Sequence, residues 1–422
     1  MRPSPQKTTP RRKSEQGQAI ILVVFSIIAL IGMTALAIDG GSAYIDSRKA
    51  ENAASAAALA GAVARIEGGN WRAAALAAAK ANGYDNDGVT NSVELNTPPL
   101  SGPFAGNAEY IEAIVTSHFR TYFGPVIGVP QITSVARAIS QSKPAEIGPM
   151  FEGYALVSLA PQSRCDKQRG FWIHGEATIA LEGGGLFVNS NNPDCALIQF
   201  GSGSIRIDDA SPITVVGGAQ VQKPKLITPY PFQTGAPPVP YPPSFEMPKV
   251  GCGGKMAEVD EETGVMSPGI WDEDIFPPEG VHHLEGGVYC IGGDFLLGGG
   301  QSLTGSRVVF VLAGGMRISG GAHVDLSAPM QGAHKGLLIY MPPGNTNVLA
   351  LNGDANSSYR GTIFAPSADV RINGLDSIHG AAYHSQIIGY YIEVDGQSLI
   401  RIKYKEEQNY EVIKMPEVIL VK

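Results

Sequence analysis

At 422 residues the chain has room for two or more domains, and 52 glycines and 30 prolines against only 17% charged residues call for many turns and a modest share of helix. A formal net charge of -8, with no interleaving of aromatic residues and cations, excludes a nucleic-acid-binding role. The four cysteines, Cys165, Cys195, Cys252 and Cys290, sit at long spacings with no CxxC, which argues against metal ligation.

Residues 1–18 read as a basic tail carrying Arg2, Lys7, Arg11, Arg12 and Lys13. Residues 19–38 hold no ionisable group, and at about 1.5 Å rise per residue this stretch crosses a hydrocarbon core of roughly 30 Å. Its polar side chains, Ser26 and Thr34, can each return a hydroxyl to a carbonyl one turn back. Cations concentrate before the span, whereas Asp39, Asp46, Arg48, Lys49 and Glu51 of both signs follow it, so a single-pass topology with a cytoplasmic N-terminus is expected. A cleaved secretory signal is the competing reading, because Ala35-Leu36-Ala37 has the small-x-small form of a cleavage site. The apolar run exceeds the usual h-region of about 7–15 residues and a strong helix former resumes beyond it, which favours an uncleaved anchor.

Residues 39–140 are expected to form an extracytoplasmic α/β module. The alanine-rich stretch 42–66 predicts a helix, with Gly40-Gly41 as a kink site. Gly68-Gly69 separates it from a second helix over residues 71–81, stopped by Asn82-Gly83, which together make a helical hairpin. A surface of methyl groups lets another backbone approach closely. Ala53, Ala56, Ala57 and Ala60 are therefore candidates for a helix docking surface, with packing onto the chain's own domain as the alternative. Asp85, Asp87, Gly88 and Glu94 fall in EF-hand register, but Gly83 stands at the first ligand position and no exit helix follows, so a polar turn is expected. Residues 109–117 and 131–140 alternate as strands, with Ile111, Ala113 and Val115 on one face.

Beyond residue 140 short β-branched and aromatic runs recur between glycine, asparagine and proline corners. This texture predicts a mostly β domain: a parallel β-solenoid in two parts, residues 141–221 and 250–404, with a β-sandwich as the alternative. Residues 222–249 are proline-dense and extended, either a loop on the solenoid or a linker between its halves, and 405–422 read as a C-terminal tail. Cysteines in an exported domain suit disulfides, favoured here as Cys165 with Cys195 and Cys252 with Cys290, against free buried thiols.

Solenoids often carry glycan-cleaving sites, so the acids and histidines need weighing. Asp208 and Asp209 are adjacent and point to opposite faces of a strand, which makes them a poor acid pair. His282-His283, and His323 with Asp325, read as surface groups; LEGGGL and LLGGGQ lack a phosphate loop's Lys-Ser/Thr and read as corners. Tyr230, Phe232 and Tyr241 could meet a sugar or a partner, or pack the proline-rich segment onto the solenoid. No catalytic residue, cofactor or metal is expected.

Gly17-Gln18-Ala19, the apolar span, Asp39-Gly40-Gly41, Tyr44, Arg48, Asn52-Ala53-Ala54 and the run from Ala56 to Ala62 resemble the N-terminal region of TadE/TadG-like Flp (tight-adherence) pilus-assembly proteins. Tyr122-Phe123, Gly128 and Val135-Ala136-Arg137-Ala138 resemble the closing part of the same module, and the glycine-rich remainder is similar to solenoid-like domains fused to it. Ser55 stands where the family often has aspartate, and Gly17 is followed by no glutamate of the kind found in processed pilins. The resemblance implies a membrane-anchored, non-enzymatic structural component of Flp/Tad pilus assembly or associated secretion. Its expected partners are the bilayer and other pilus-assembly or envelope proteins. The alternatives are a surface adhesin binding glycan or protein, and a membrane-tethered polysaccharide hydrolase or lyase.

Overall fold

The computed structural model describes residues 16–374, 381–397 and 399–421. The five cations of the N-terminal tail and part of the SIHGAA segment thus lie outside the described residues. The chain forms two compact units: Met1–Ala145 with Pro416–Lys422, and Glu146–Met415.

In the first unit, α1 (Gln16–Ile66) is one continuous helix. Helical structure runs without interruption through Gly40-Gly41, the expected kink site. Helix α2 (Trp71–Ala81) has the predicted bounds; Asn70 caps it by accepting from the Ala73 amide at 3.1 Å. Three strands follow, β1 (Asn91–Asn96), β2 (Tyr110–Arg120) and β3 (Gln131–Lys143), and a C-terminal strand, Glu417–Val421, completes an antiparallel sheet in the order β1-β2-β3-C-terminal strand. The core of this unit is small-residue packing. Ala50, Ala53, Ala54, Ala57 and Ala58 recur at helical spacing and meet Ala75 and Ala79 of α2 and Val93, Leu95, Ala113, Val115, Ala136 and Ala138 of the sheet.

The second unit is a large β region of long parallel sheets, consistent with a parallel β-solenoid and not with a sandwich of antiparallel sheets. In its 11-stranded sheet the parallel ladders are in register from coil to coil, while the 17-stranded sheet carries local register shifts. Val265, His283, Thr304, Asp325, Ser358, Ala382 and Arg401 form one column of paired positions, which continues through Ala180 and Arg206 to Thr228. The column one residue further on, including Met266, Leu284, Leu326, Tyr359, Tyr383, Ile402 and Leu181, is buried. Period-two alternation thus sends one column outward and the next into the core. Because parallel strands lie about 4.8 Å apart, like residues stack: Tyr359 on Tyr383 at 5.0 Å and Tyr340 on Phe364 at 5.8 Å between ring centroids. Corners are tight. At Gly183, φ is +81° and a Cβ would sit 2.4 Å from the Tyr404 carbonyl oxygen, so the LEGGGL run is a corner that only glycine fits.

The stacking order departs from the chain order. Strand Thr178–Glu182 pairs with Leu399–Lys403, and strand Tyr154–Ser158 with Ile387–Gly396, so the unit begins in the middle of its own stack. The first half coils outward to Gln233–Thr234; the second starts at the opposite end and coils back to meet the first. The proline-dense segment connects the two ends by crossing the coils. The Ala236 amide donates to Val215, Val239 exchanges hydrogen bonds with Asn189, the Tyr241 hydroxyl reaches Pro366 and Ser367, and Phe245 lies on Phe151 and Phe364. Cys252–Cys290 fastens the far end of this strap, and Cys165–Cys195 ties two loops of the first half.

Phe310 is fully buried against Phe276, Tyr289 and Phe295, with ring centroids 5.4–6.1 Å away. Phe310→Ala is expected to cost about 3–5 kcal/mol, measured as a lower denaturation midpoint for the β-rich unit, while the exposed Phe200→Ala changes it little.

Candidate membrane-proximal site

Helix α1 meets two environments. Between Ile20 and Ile38 its large apolar side chains are 42–75% exposed, and no described residue covers them. The segment is long and apolar enough to cross a membrane. Ser26 and Thr34 donate to the Leu22 and Leu30 carbonyls, each at 2.8 Å, so both hydroxyls are satisfied within the helix as expected. From Ala50 onward one face of the same helix is buried in protein.

At the boundary, Asp39 is 7% exposed and accepts three backbone N–H bonds, from Tyr122 at 2.7 Å, Phe123 at 2.9 Å and Gly124 at 2.8 Å. These amides lead into a short 3-10 helix, Gly124–Ile127, and form a ready anion cradle. Burial pushes the Asp39 carboxyl up, but the three amide bonds outweigh it and hold the group below the usual carboxylate range. Two turns along, Asp46 accepts from the Ser117 and Ser134 hydroxyls, each at 3.0 Å, and from the Tyr84 hydroxyl at 3.2 Å. Burial and the neighbouring carboxylate push the Tyr84 phenol up to about 12. Further on, the Ser142 hydroxyl donates to the Ala62 carbonyl at 3.2 Å. The sheet is thus fastened along α1 at three levels. Within it, Glu112 is 1% exposed; burial pushes its carboxyl up, while bonds from Asn96, Arg137 and the Leu100 amide bring it below its ordinary value.

The four alanines singled out for docking do not share one free surface. Ala53 and Ala57 are fully buried in the unit's own core, whereas Ala56 and Ala60 are half-buried. The reason is the close approach that small residues permit: at Gly61 an added Cβ would touch Ala75 and Trp71 of α2, at 3.4–3.5 Å, and Ile111 of the sheet at 3.6 Å. Much of the alanine surface is therefore used internally, and the outer ridge of α1 combines Ala56 and Ala60 with the exposed Asn52 and Val63.

The polar groups flagged elsewhere are engaged locally. Asp87 accepts from the Val89, Thr90 and Asn91 amides as a turn cap, and Glu94 lies in β1, paired with Ile114. Asp208 is exposed, and Asp209 accepts from the Gly183 and Ser211 amides at a corner. His282 bonds the Gly280 carbonyl and His283 the Thr304 hydroxyl. His323 and Asp325 do share a face, but each pairs with a different neighbour, Asp354 at 3.3 Å and Arg360 at 3.1 Å. Phe232 packs on the core and Tyr241 on Tyr390, leaving Tyr230 half exposed.

One cluster escaped the reading of the sequence, because its members come from three strands brought together by out-of-order stacking. Arg371 pairs with Glu393 at 3.4 Å, and His174 bridges Glu393 at 3.0 Å and Asp395 at 3.3 Å. Burial, with Glu393 adding to it, raises the Asp369 carboxyl against the opposing pull of Arg371. Trp172 carries the Arg169 guanidinium at 3.6 Å and the His174 ring at 3.5 Å, so its stacking partners come from the chain itself. The cavity here is about 110 Å³, below the roughly 300–1,000 Å³ of ordinary ligand pockets. Among the described residues no group of three or more His, Cys, Asp or Glu is placed to hold a metal ion.

Residues 17–64, all within α1, match the family model described as putative Flp pilus-assembly TadE/G-like. The match suggests involvement in Flp pilus assembly and association with its machinery; it does not extend to the sheet or to the β-rich unit. No curated protein and no solved structure matches the chain. Together with the apolar helix, the two disulfides suggest a membrane-anchored, extracytoplasmic protein.

Asp39 supports its loop best when ionised, so the added support is present above the ordinary carboxylate pKa and is lost as pH falls through the lowered one. Asp39→Asn, which puts an amide donor among three N–H donors, is expected to lower hydrogen-exchange protection of the Tyr122, Phe123 and Gly124 amides at neutral pH and to remove the acid-dependent loss expected of the parent chain.

Proposed function

We propose that this chain is a non-enzymatic structural component of Flp pilus assembly or its associated secretion, anchored by α1 with its N-terminus in the cytoplasm and its remaining mass outside. The observation that carries the reading is the division of α1: an uncovered apolar span and an alanine-packed half belong to one helix, and the family match lies along it. The cation bias before residue 19 supports the orientation. The β-rich unit is read as a stiff spacer, supported by its in-register stack and aromatic core.

Assembly partners would meet the outer ridge of α1. Photo-crosslinkers at Ala56, Ala60 and Val63 in living cells are expected to capture other pilus-assembly subunits, whereas the fully buried Ala57 should capture only the chain itself. Recovery of nothing but lipid or self-adducts from the three outer positions would remove the docking role.

A glycan-binding or glycan-cleaving surface is the second reading, favoured by the raised Asp369 carboxyl beside Glu393. The proposed non-enzymatic role predicts no release of reducing ends from bacterial surface polysaccharides by the purified chain. Release that disappears in Asp369→Asn would replace the structural reading with the enzymatic one.

A further inference from the structure

We propose that residues 121–130 form a second membrane contact, a loop that enters the lipid headgroup layer beside the exit of α1. Resting on the reading of α1 as a membrane anchor, this assigns the loop an occupant that the family match does not touch. Val126, Ile127 and Tyr122 are 87, 79 and 72% exposed, and Phe123 and Val129 are also open. None of the five belongs to the core of the unit.

Position follows from the three ties between the sheet and α1. The helix from Asp46 to Ala62 rises about 24 Å, and β3 from Ser134 to Ser142 spans about 26 Å, so the strand runs alongside the helix between the contacts made by Ser134 and Ser142. Continuing the other way, β2 and β3 end in this loop, and Asp39 holds its amides directly after Ile38, where the apolar span stops. The loop is therefore fixed at the polar end of the membrane-crossing segment, with its apolar side chains exposed at that level.

Its chemistry suits lipid. A loop reaching toward the acyl boundary, where water thins out, is favoured by a backbone that satisfies itself. Here the Thr121 hydroxyl donates to Val129, the Val129 amide to Gly124, and the Thr121 amide to Pro130. Gly124 permits the closure, because a Cβ there would lie 2.1 Å from the Val129 carbonyl oxygen. Aliphatic Val126 and Ile127 fit the acyl boundary, Tyr122 and Phe123 the aromatic belt, and exposed Arg120 an anionic headgroup.

The test uses the full chain in nanodiscs containing anionic lipid. All four native cysteines are paired, so an introduced cysteine is the free thiol that takes an environment-sensitive fluorophore. At Ile127→Cys, a surface position outside the core, blue-shifted emission is expected, quenched more by spin labels near the headgroup than by deep ones, for a depth of roughly 5–10 Å into the interface. Leu100→Cys, 73% exposed, should give water-like, unquenched emission, and Phe25→Cys should be quenched by deep labels. Water-like emission at Ile127 with Phe25 quenched overturns the loop contact and leaves the anchor standing. An unquenched Phe25 overturns the anchor and the proposal built on it. A blue shift at Ile127 that lipid-borne labels leave untouched assigns the loop to a protein partner and overturns the lipid assignment.

Discussion

The hydrogen-bonded backbone of α1 is continuous from Gln16 to Ile66, so one stiff element must satisfy two surroundings with different demands. In hydrocarbon every backbone group needs an internal partner and the side chains should be apolar and bulky; in the protein core the same helix must let a second helix and a sheet come close. The composition changes accordingly, from isoleucine, leucine and valine to alanine, and Asp39 marks the change by meeting three amides of another segment. The placement of β2 and β3 follows from this arrangement, because their polar contacts with α1 recur along the helix at levels set by strand and helix rise.

The β-rich unit answers a different constraint. Each coil has one face that cannot be left in water, and only a neighbour in register covers it. Register explains both the inward ladder of leucine, isoleucine and tyrosine and the outward ladder in which Lys403 meets Glu182 at 3.2 Å and His283 meets Thr304 at 2.9 Å. Exposed ion pairs of this kind contribute little individually. The apolar column behind them accounts for most of the stabilisation.

What could be read from the sequence was local. Charge-free residues 19–38, Gly68-Gly69 before residues 71–81, and short β-branched runs between glycines all signal through near neighbours. The cysteine pairing agrees with the expected one, the bonds joining residues 30 and 38 positions apart in the chain. The acceptor role of Asp39 was not legible, since its donors lie 83–85 residues later. The buried side of the alanine helix was equally obscure, because alanine is compatible with either face. Strand β1 left a trace in the alternation of Val93 and Leu95, and EVILV in the tail is a plain apolar run. Pairing of that tail with β3 depends on a contact across 279 residues, which no local pattern specifies. Out-of-order stacking hid the Arg371, Glu393 and His174 cluster for the same reason.

Beginning and ending the stack at its middle has a mechanical consequence. The second unit is entered through Glu146–Pro149 and left through Glu411–Lys414, and these two segments pair antiparallel. A pull transmitted along the backbone between the two covalent connections is borne by that short pair and its immediate neighbours. The outer coils at either end, around Thr228 and Val265, stand off the load path, as a coil of rope hangs from a knot. A cut in those outer coils leaves the entry and exit strands still paired with each other, a property suited to a part that must stay closed at its attachment while its extremities are disturbed.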